Sequence, residues 1–386
     1  MTLKCISIVV IPGDGIGPEV TREMRRVVAA ALNRHGKIYG SITWIEALAG
    51  IEALNKHQEL LPSATLELIR KHKIGIKGPT ATPVGSGFRS VNVSLRRELD
   101  LYACVRPIEY IAEIPSPIKH PEDVHFTIFR ENTEDVYTGV EYEAGSPESK
   151  LIIQELGLSG IVPLDSAIGL KPISERATKR FVKKALLYAL ERGNRSLTLV
   201  HKGNIMKFTE GAFRKWGYEV CHEVLGARMA TSKDWESKKQ SSETFLVQDR
   251  IADAMFQELL LRPQDHEVIA TMNLNGDYLS DAAAALIGGL GVAPGANFGD
   301  EIAVFEAVHG TAPDIAGKDL ANPTGMILSA VMLLEHLGEP QAAVSIRNAI
   351  KQLVSQKRVT GDIARYFEGV SPLSCSQFGS ALCELV

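Results

Sequence analysis

Apolar residues follow two rhythms along this chain. CISIVVIP, residues 5–12, is a short β-branched run closed by Pro12 and a cluster of glycines, which predicts a buried strand. Pro18 then suits a first helical turn, and Val20, Met24, Val27, Val28 and Ala31 follow at helical spacing. Strand-like runs recur at Ile74–Ile76, Phe126–Phe129, Leu197–Val200 and Val268–Ala270. Between them lie helical patterns at Glu175–Glu191, Gln248–Leu261 and Thr324–Leu337. This alternation predicts an α/β fold with much parallel pairing. Residues 142–174 break the rhythm. They are rich in glycine, serine and proline with short apolar alternations, and predict an irregular β insertion.

Composition narrows the class. At 386 residues the chain is too long for one ordinary core and should form two lobes. A hydrophobic content of 45% with 23% charged residues is that of a globular protein. The net charge of −4 argues against a nucleic-acid surface, and no apolar run approaches the roughly 20 residues that cross a bilayer. The N-terminus runs straight into a strand pattern, so neither a signal nor a transit segment is expected. Five scattered cysteines without CxxC spacing read as reduced thiols, so a cytoplasmic protein is expected.

IPGDGIGPEV follows a strand and precedes a helix, as a dinucleotide fingerprint does. Its glycines are spaced GxGxG, however, and no acidic residue closes a second strand about 20 residues later. A tight structural turn is the better reading.

Chemistry concentrates elsewhere. In NLNGDYLSD, residues 273–281, Asp277 and Asp281 are four apart, so a helix sets both carboxylates on one face. Two such acids suit a divalent cation such as Mg²⁺ or Mn²⁺, or else complement a helix N-terminus. Ser90, Asn92 and Arg96 can lie along one helix, Arg106 follows, and Arg130 opens FRENTEDVY. Three converging arginines would bind a ligand with several carboxylates; the alternative is surface pairing with Glu98, Asp100 or Glu131. Tyr137 lies in the same FRENTEDVY block, and Lys202 stands just past a strand, where neighbouring cations would lower its pKa for proton transfer.

Taken together, SVNVSLRRELDLYACVRP, FRENTEDVY, VHKGNIMKFTEG, MNLNGDYLSDA and EAVHGTAPDIAG, in that order, resemble the isocitrate dehydrogenases of the metal-dependent, decarboxylating β-hydroxyacid dehydrogenase family. The similarity runs from IPGDGIGPE to CSQFG, nearly the whole chain. It implies a large α/β domain (1–101 and 288–386), a small domain (102–134 and 175–287) and a clasp (135–174) like that of the bacterial homodimeric branch. It further implies that Ser90, Asn92, Arg96, Arg106 and Arg130 hold isocitrate, beside Tyr137. Lys202 and Asp253 would come from the partner subunit, and Asp253, Asp277 and Asp281 would hold the metal. Lys202 is expected to take the alcohol's proton and Tyr137 to deliver the final one. The hydroxyl and amide of Ser90 and Asn92, where isopropylmalate enzymes carry an apolar residue, favour isocitrate. In bacterial relatives the serine matching Ser90 is phosphorylated, so the resemblance also implies a regulatory kinase as a partner.

The resemblance also assigns the cofactor site: Thr82, Asn204, His309, Gly310, Ala312, Asp314, Ile315 and Asn322. Relatives that use NADP carry Lys and Tyr where this chain has Asp314 and Ile315, and Tyr where it has Gly361. A carboxylate at 314 accepts from the ribose hydroxyls of NAD and repels a 2′-phosphate, so NAD is expected. Arg262 and Arg365 match phosphate-holding positions and count the other way. The rival expectations are an NADP enzyme, a homoisocitrate, isopropylmalate or tartrate dehydrogenase, and a catalytically silent regulatory subunit.

Overall fold

The computed structural model describes residues 3–83, 90–238 and 241–386. Among them, one eleven-stranded sheet carries the architecture. Its spatial order is Tyr39–Glu46, Lys4–Ile11, Ile74–Lys77, Ala303–Ala307, Pro294–Phe298, Ala103–Glu109, His125–Glu131, Val268–Thr271, Ser196–His201, Phe245–Ile251 and Met229–Ala230. The expected α/β class holds. Both flanks are parallel, but the middle is not: Pro294–Phe298 runs antiparallel to both neighbours, and Ala103–Glu109 is antiparallel to His125–Glu131. The sheet therefore runs unbroken across the boundary expected between two domains, with Ala296 paired with Val105.

Helix Gly17–His35 starts with proline in its first turn and buries Val20, Met24, Val27, Val28 and Ala31, as their spacing predicts. Helix Thr324–His336 is apolar all round and buried on nearly every side. A continuous hydrophobic core crosses both halves of the sheet. A smaller one, including Val9, Ile11, Ile69, Leu95 and Val304, lies under helices Ser63–His72 and Val91–Glu98.

Two expectations are corrected. Residues 248–251 belong to strand Phe245–Ile251, and the helix begins only at Ala252. Strand and helix follow without a turn, so their apolar positions merged into one apparent period. The 142–174 insertion is not wholly β: between strands Glu141–Tyr142 and Ile168–Gly169 it holds helix Pro147–Glu155. Ser146 caps that helix by accepting from Ser149 N at 3.1 Å, and Pro147 fits its first turn.

The glycine turn is structural, as read. Gly13 and Gly15 have φ of 83° and 61°, and a Cβ on Gly15 would stand 2.0 Å from the Thr311 carbonyl oxygen. Ile16 N donates to that same oxygen at 2.9 Å. The Asp14 carboxylate accepts from Ala81 N at 2.7 Å and from Ile51 N at 3.0 Å. The turn thus braces the loops that begin at residues 78 and 309.

Candidate active site

The antiparallel seam of the sheet presents arginines. Arg106 on Ala103–Glu109 and Arg130 on His125–Glu131 are both buried, as is Arg96 on helix Val91–Glu98. None uses the surface partners Glu98, Asp100 or Glu131. Arg130 donates through Nε to Asn273 Oδ1 at 2.9 Å and through Nη1 to Asp277. Arg106 donates to Ser280 Oγ at 2.6 Å and Asp281 Oδ1 at 2.7 Å. Burial, then the nearby charges of Arg96 and Arg106, pull the pKa of Arg130 down. The three guanidiniums converge.

Asp277 and Asp281 ride on helix Asn273–Ala284 and face these arginines on one side, as their spacing predicts. Gly276 lets the helix come close: a Cβ there would stand 2.6 Å from Arg130 Cγ. Tyr137, half buried in the 3₁₀ turn Asp135–Thr138, lies with its ring 4.8 Å from the Arg130 guanidinium carbon. Burial raises its phenol pKa, and Arg130 opposes that shift.

A cavity of about 120 Å³ adjoins this group, lined by Asn92, Arg96, Arg106 and His309 among others. It exposes two residues that sequence reading missed. Lys77, at the buried end of strand Ile74–Lys77, donates to Glu306 at 2.7 Å, and Arg96 donates to the other Glu306 oxygen at 2.8 Å. Burial alone would raise the Glu306 carboxyl; Lys77 and Arg96 outweigh it and hold it well below the usual range. A charged residue closing an otherwise apolar strand was the available signal. Arg96 Nε and His309 Nε2 are buried without a protein partner. Such orphan donors and acceptors are what a polar ligand satisfies.

Asn92 accepts from Thr80 Oγ1 at 3.1 Å. Ser90 is the exposed N-cap residue of helix Val91–Glu98, and Thr82 Oγ1 accepts from Val91 N at 3.3 Å. His309, Gly310, Ala312, Asp314 and Ile315 form one loop, in which Ala312 has a φ of 39°. Asp314 is exposed, and Ile315 leans on the core. Asn322 donates to Asp362 at 2.9 Å, while Asn204 lies exposed in the turn after Ser196–His201. Arg262 is held by Glu258 and Asp265, and Arg365 by Tyr366.

Lys202 and Asp253 form a separate pair. Lys202 Nζ donates to Asp253, so its ammonium stands beside an acid and not among cations as expected. Among the described residues of one chain, no three His, Cys, Asp or Glu side chains gather to hold a metal, and Asp253 does not join Asp277 and Asp281. The chain thus presents two incomplete sets. The carboxylate oxygens in both are hard donors that fit Mg²⁺ or Mn²⁺.

An α/β sheet with an arginine-lined pocket at its antiparallel seam suits a ligand that carries several negative charges. The profile of the isocitrate/isopropylmalate dehydrogenase family matches residues 7–382, and the chain belongs to that family. It is 49% identical over 381 residues to "Isocitrate dehydrogenase [NADP]" of Pseudomonas aeruginosa (strain UCBPP-PA14), covering 96% of this chain and 91% of the relative. A protein of the same name from Archaeoglobus fulgidus is 49% identical over 379 residues, with 96% and 90% covered. The crystal structure of isocitrate dehydrogenase from Methylococcus capsulatus superimposes with a TM-score of 0.81 at 38% identity, covering 98% of both chains. No helix among the described residues is long and apolar enough to cross a membrane, and all five cysteines are free.

Proposed function

We propose that this chain is a homodimeric, metal-dependent isocitrate dehydrogenase that converts isocitrate to 2-oxoglutarate and CO₂ with reduction of NAD. The observation that carries the reading is the cluster of buried Arg96, Arg106 and Arg130, with Asp281 and Asp277 on the last two and Glu306 on the first. Isocitrate has three carboxylates. The arginines bind them bidentately, while Ser90 and Asn92 offer a hydroxyl and an amide to the third. The relatives' shared name supports the same substrate.

The cleft lies between a large domain (1–101 and 288–386) and a small one (102–134 and 175–287). The two incomplete sets fit together if each site takes Lys202 and Asp253 from the partner. Exposed Leu151, Leu156, Ile161 and Leu164 in the 135–174 insertion support its role as the dimer clasp, since such side chains need covering. Asp253, Asp277 and Asp281 would hold the metal, which when bound acidifies the substrate hydroxyl and steadies charge during decarboxylation. Lys202 takes the hydroxyl proton, and Tyr137 returns a proton to carbon after CO₂ leaves.

Asp314, Ile315 and Gly361 support NAD, for the reasons of charge given above. A second reading, NADP, is favoured by the names of these relatives and by Arg262 and Arg365. Both arginines already have side-chain partners, and neither Lys nor Tyr stands beside them at 314 and 315. The test is nicotinamide reduction by the purified protein, with isocitrate, homoisocitrate, isopropylmalate and tartrate, each against NAD and NADP. Isocitrate with NAD should dominate; better rates with NADP overturn the cofactor, and silence with all four acids overturns the enzyme.

A further inference from the structure

Lys171 follows the short strand Ile168–Gly169 at the base of the insertion, more than thirty residues from both Tyr137 and Lys202. Its ammonium is mostly buried and lies between two fully buried acids, 2.5 Å from Asp135 Oδ1 and 3.0 Å from Glu210 Oε1. Each acid is fastened to catalytic structure by its second oxygen. Asp135 Oδ2 accepts from Leu274 N at 3.0 Å, in the first turn of the helix carrying Asp277 and Asp281. Asp135 also opens the 3₁₀ turn that bears Tyr137, with a φ of 72°, a left-handed conformation that a non-glycine residue holds only under constraint. Glu210 Oε2 accepts from the Lys202 backbone N–H, and from Asn275 Nδ2 at 3.0 Å.

One ammonium therefore ties the Tyr137 turn, the aspartate helix and the Lys202 turn. We propose that Lys171 is a positioning residue that sets Tyr137 and Lys202 of its own chain together. This rests on the shared-site reading, under which those two groups serve opposite active sites of the dimer. Lys171 is then a physical link between the sites. Without it, two buried carboxylates face each other unneutralised, and both turns lose a fixed partner. Neither Tyr137 nor Lys202 touches Lys171 directly, so the effect is on the placement of proton-transfer groups more than on the arginines that bind substrate.

The test uses dimers assembled from two differently tagged chains, one carrying Tyr137→Phe and the other Lys202→Met. Under the shared-site reading, one site of the hybrid holds both defects and the other holds neither, so activity rises above that of either parent homodimer. Lys171→Met is then placed on one chain or the other. On the Tyr137→Phe chain it disturbs the Lys202 that serves the sound site; on the Lys202→Met chain it disturbs the Tyr137 there. Either placement should lower kcat on the order of ten- to a hundredfold while the KM for isocitrate moves less than about threefold. Lys171→Arg should restore most of the loss. A fall from one placement only, from neither, or in KM alone overturns the proposal. A hybrid with no restored activity fails earlier, at the shared site, and takes the proposal with it. If the methionine chain does not assemble, Lys171→Gln is read in the same assay against the same outcomes.

Discussion

Arg106 donates to Asp281 at 2.7 Å while Asp277, one helical turn earlier, receives Arg130. Asp277 and Asp281, two acids of the proposed metal set, therefore also neutralise buried arginines. The two roles separate by experiment. Asp281 is about half exposed, with 47% of its side chain accessible, and an asparagine there keeps an oxygen that accepts from Arg106, which also donates to Ser280. As a metal ligand it matters far more. Asp281→Asn should leave the metal-free thermal midpoint nearly unchanged and raise the Mg²⁺ or Mn²⁺ concentration for half-maximal rate by at least about tenfold. A large loss of stability with an unaltered metal requirement would make it a structural acid only.

Glu131, next to Arg130, gives a pH signature. It is buried and accepts from Thr133 and from the Glu134 backbone. Burial pushes its carboxyl up from 4.5 to about 7 despite those hydrogen bonds. The unfolded chain ionises this acid first, so the folded state binds the extra proton between the two values. Its contribution is complete below about pH 4.5 and is lost as pH rises through about 7, a swing of about 3 kcal/mol at most. Glu131→Gln should flatten the fall in denaturant midpoint over that window. An unchanged slope assigns the pH dependence to other groups.

The flanks of the fold were legible because local pattern decides them. Buried parallel strands leave β-branched runs, and Glu175–Glu191 shows its helical period along its whole length. The central seam was not, because antiparallel pairing of Pro294–Phe298 with Ala103–Glu109 joins segments nearly two hundred residues apart and leaves no local trace. The same reason hid the partner of Arg96. Sequence proximity offered Glu98, Asp100 and Glu131, whereas the fold supplies Glu306, with Lys77 on its other oxygen. Spacing on one helix correctly put Asp277 and Asp281 on a common face. Nothing local revealed that Lys202 and Asp253 pair with each other in a single chain.

Ser90 stands exposed as the N-cap residue of the helix that carries Asn92 and Arg96. A negative group there faces the place proposed for a substrate carboxylate. Ser90→Asp should abolish saturation with isocitrate, whereas Ser90→Ala should keep measurable turnover with a raised KM. The aspartate also mimics the charge that a kinase would add. Full activity of Ser90→Asp would remove Ser90 from the substrate pocket and leave phosphorylation there without a means of control.

The cofactor loop gives the sharpest reversal. Asp314 is exposed, its side chain has no protein partner among the described residues, and Lys318 donates only to its backbone carbonyl at 2.7 Å. Its carboxylate is therefore free to accept from ribose hydroxyls and to repel a phosphate. Asp314→Lys with Ile315→Tyr removes that repulsion and adds a cation and a hydroxyl at the same loop positions, while Arg262 and Arg365 stay as they are. A charged hydrogen bond of about 1.5–3 kcal/mol should move the ratio of kcat/KM for NADP over NAD upward by roughly ten- to a hundredfold. The measurement is initial rates at saturating isocitrate and metal with each nucleotide varied. If the double variant leaves the ratio where it was, discrimination does not reside at residue 314, and the NAD reading loses its physical basis.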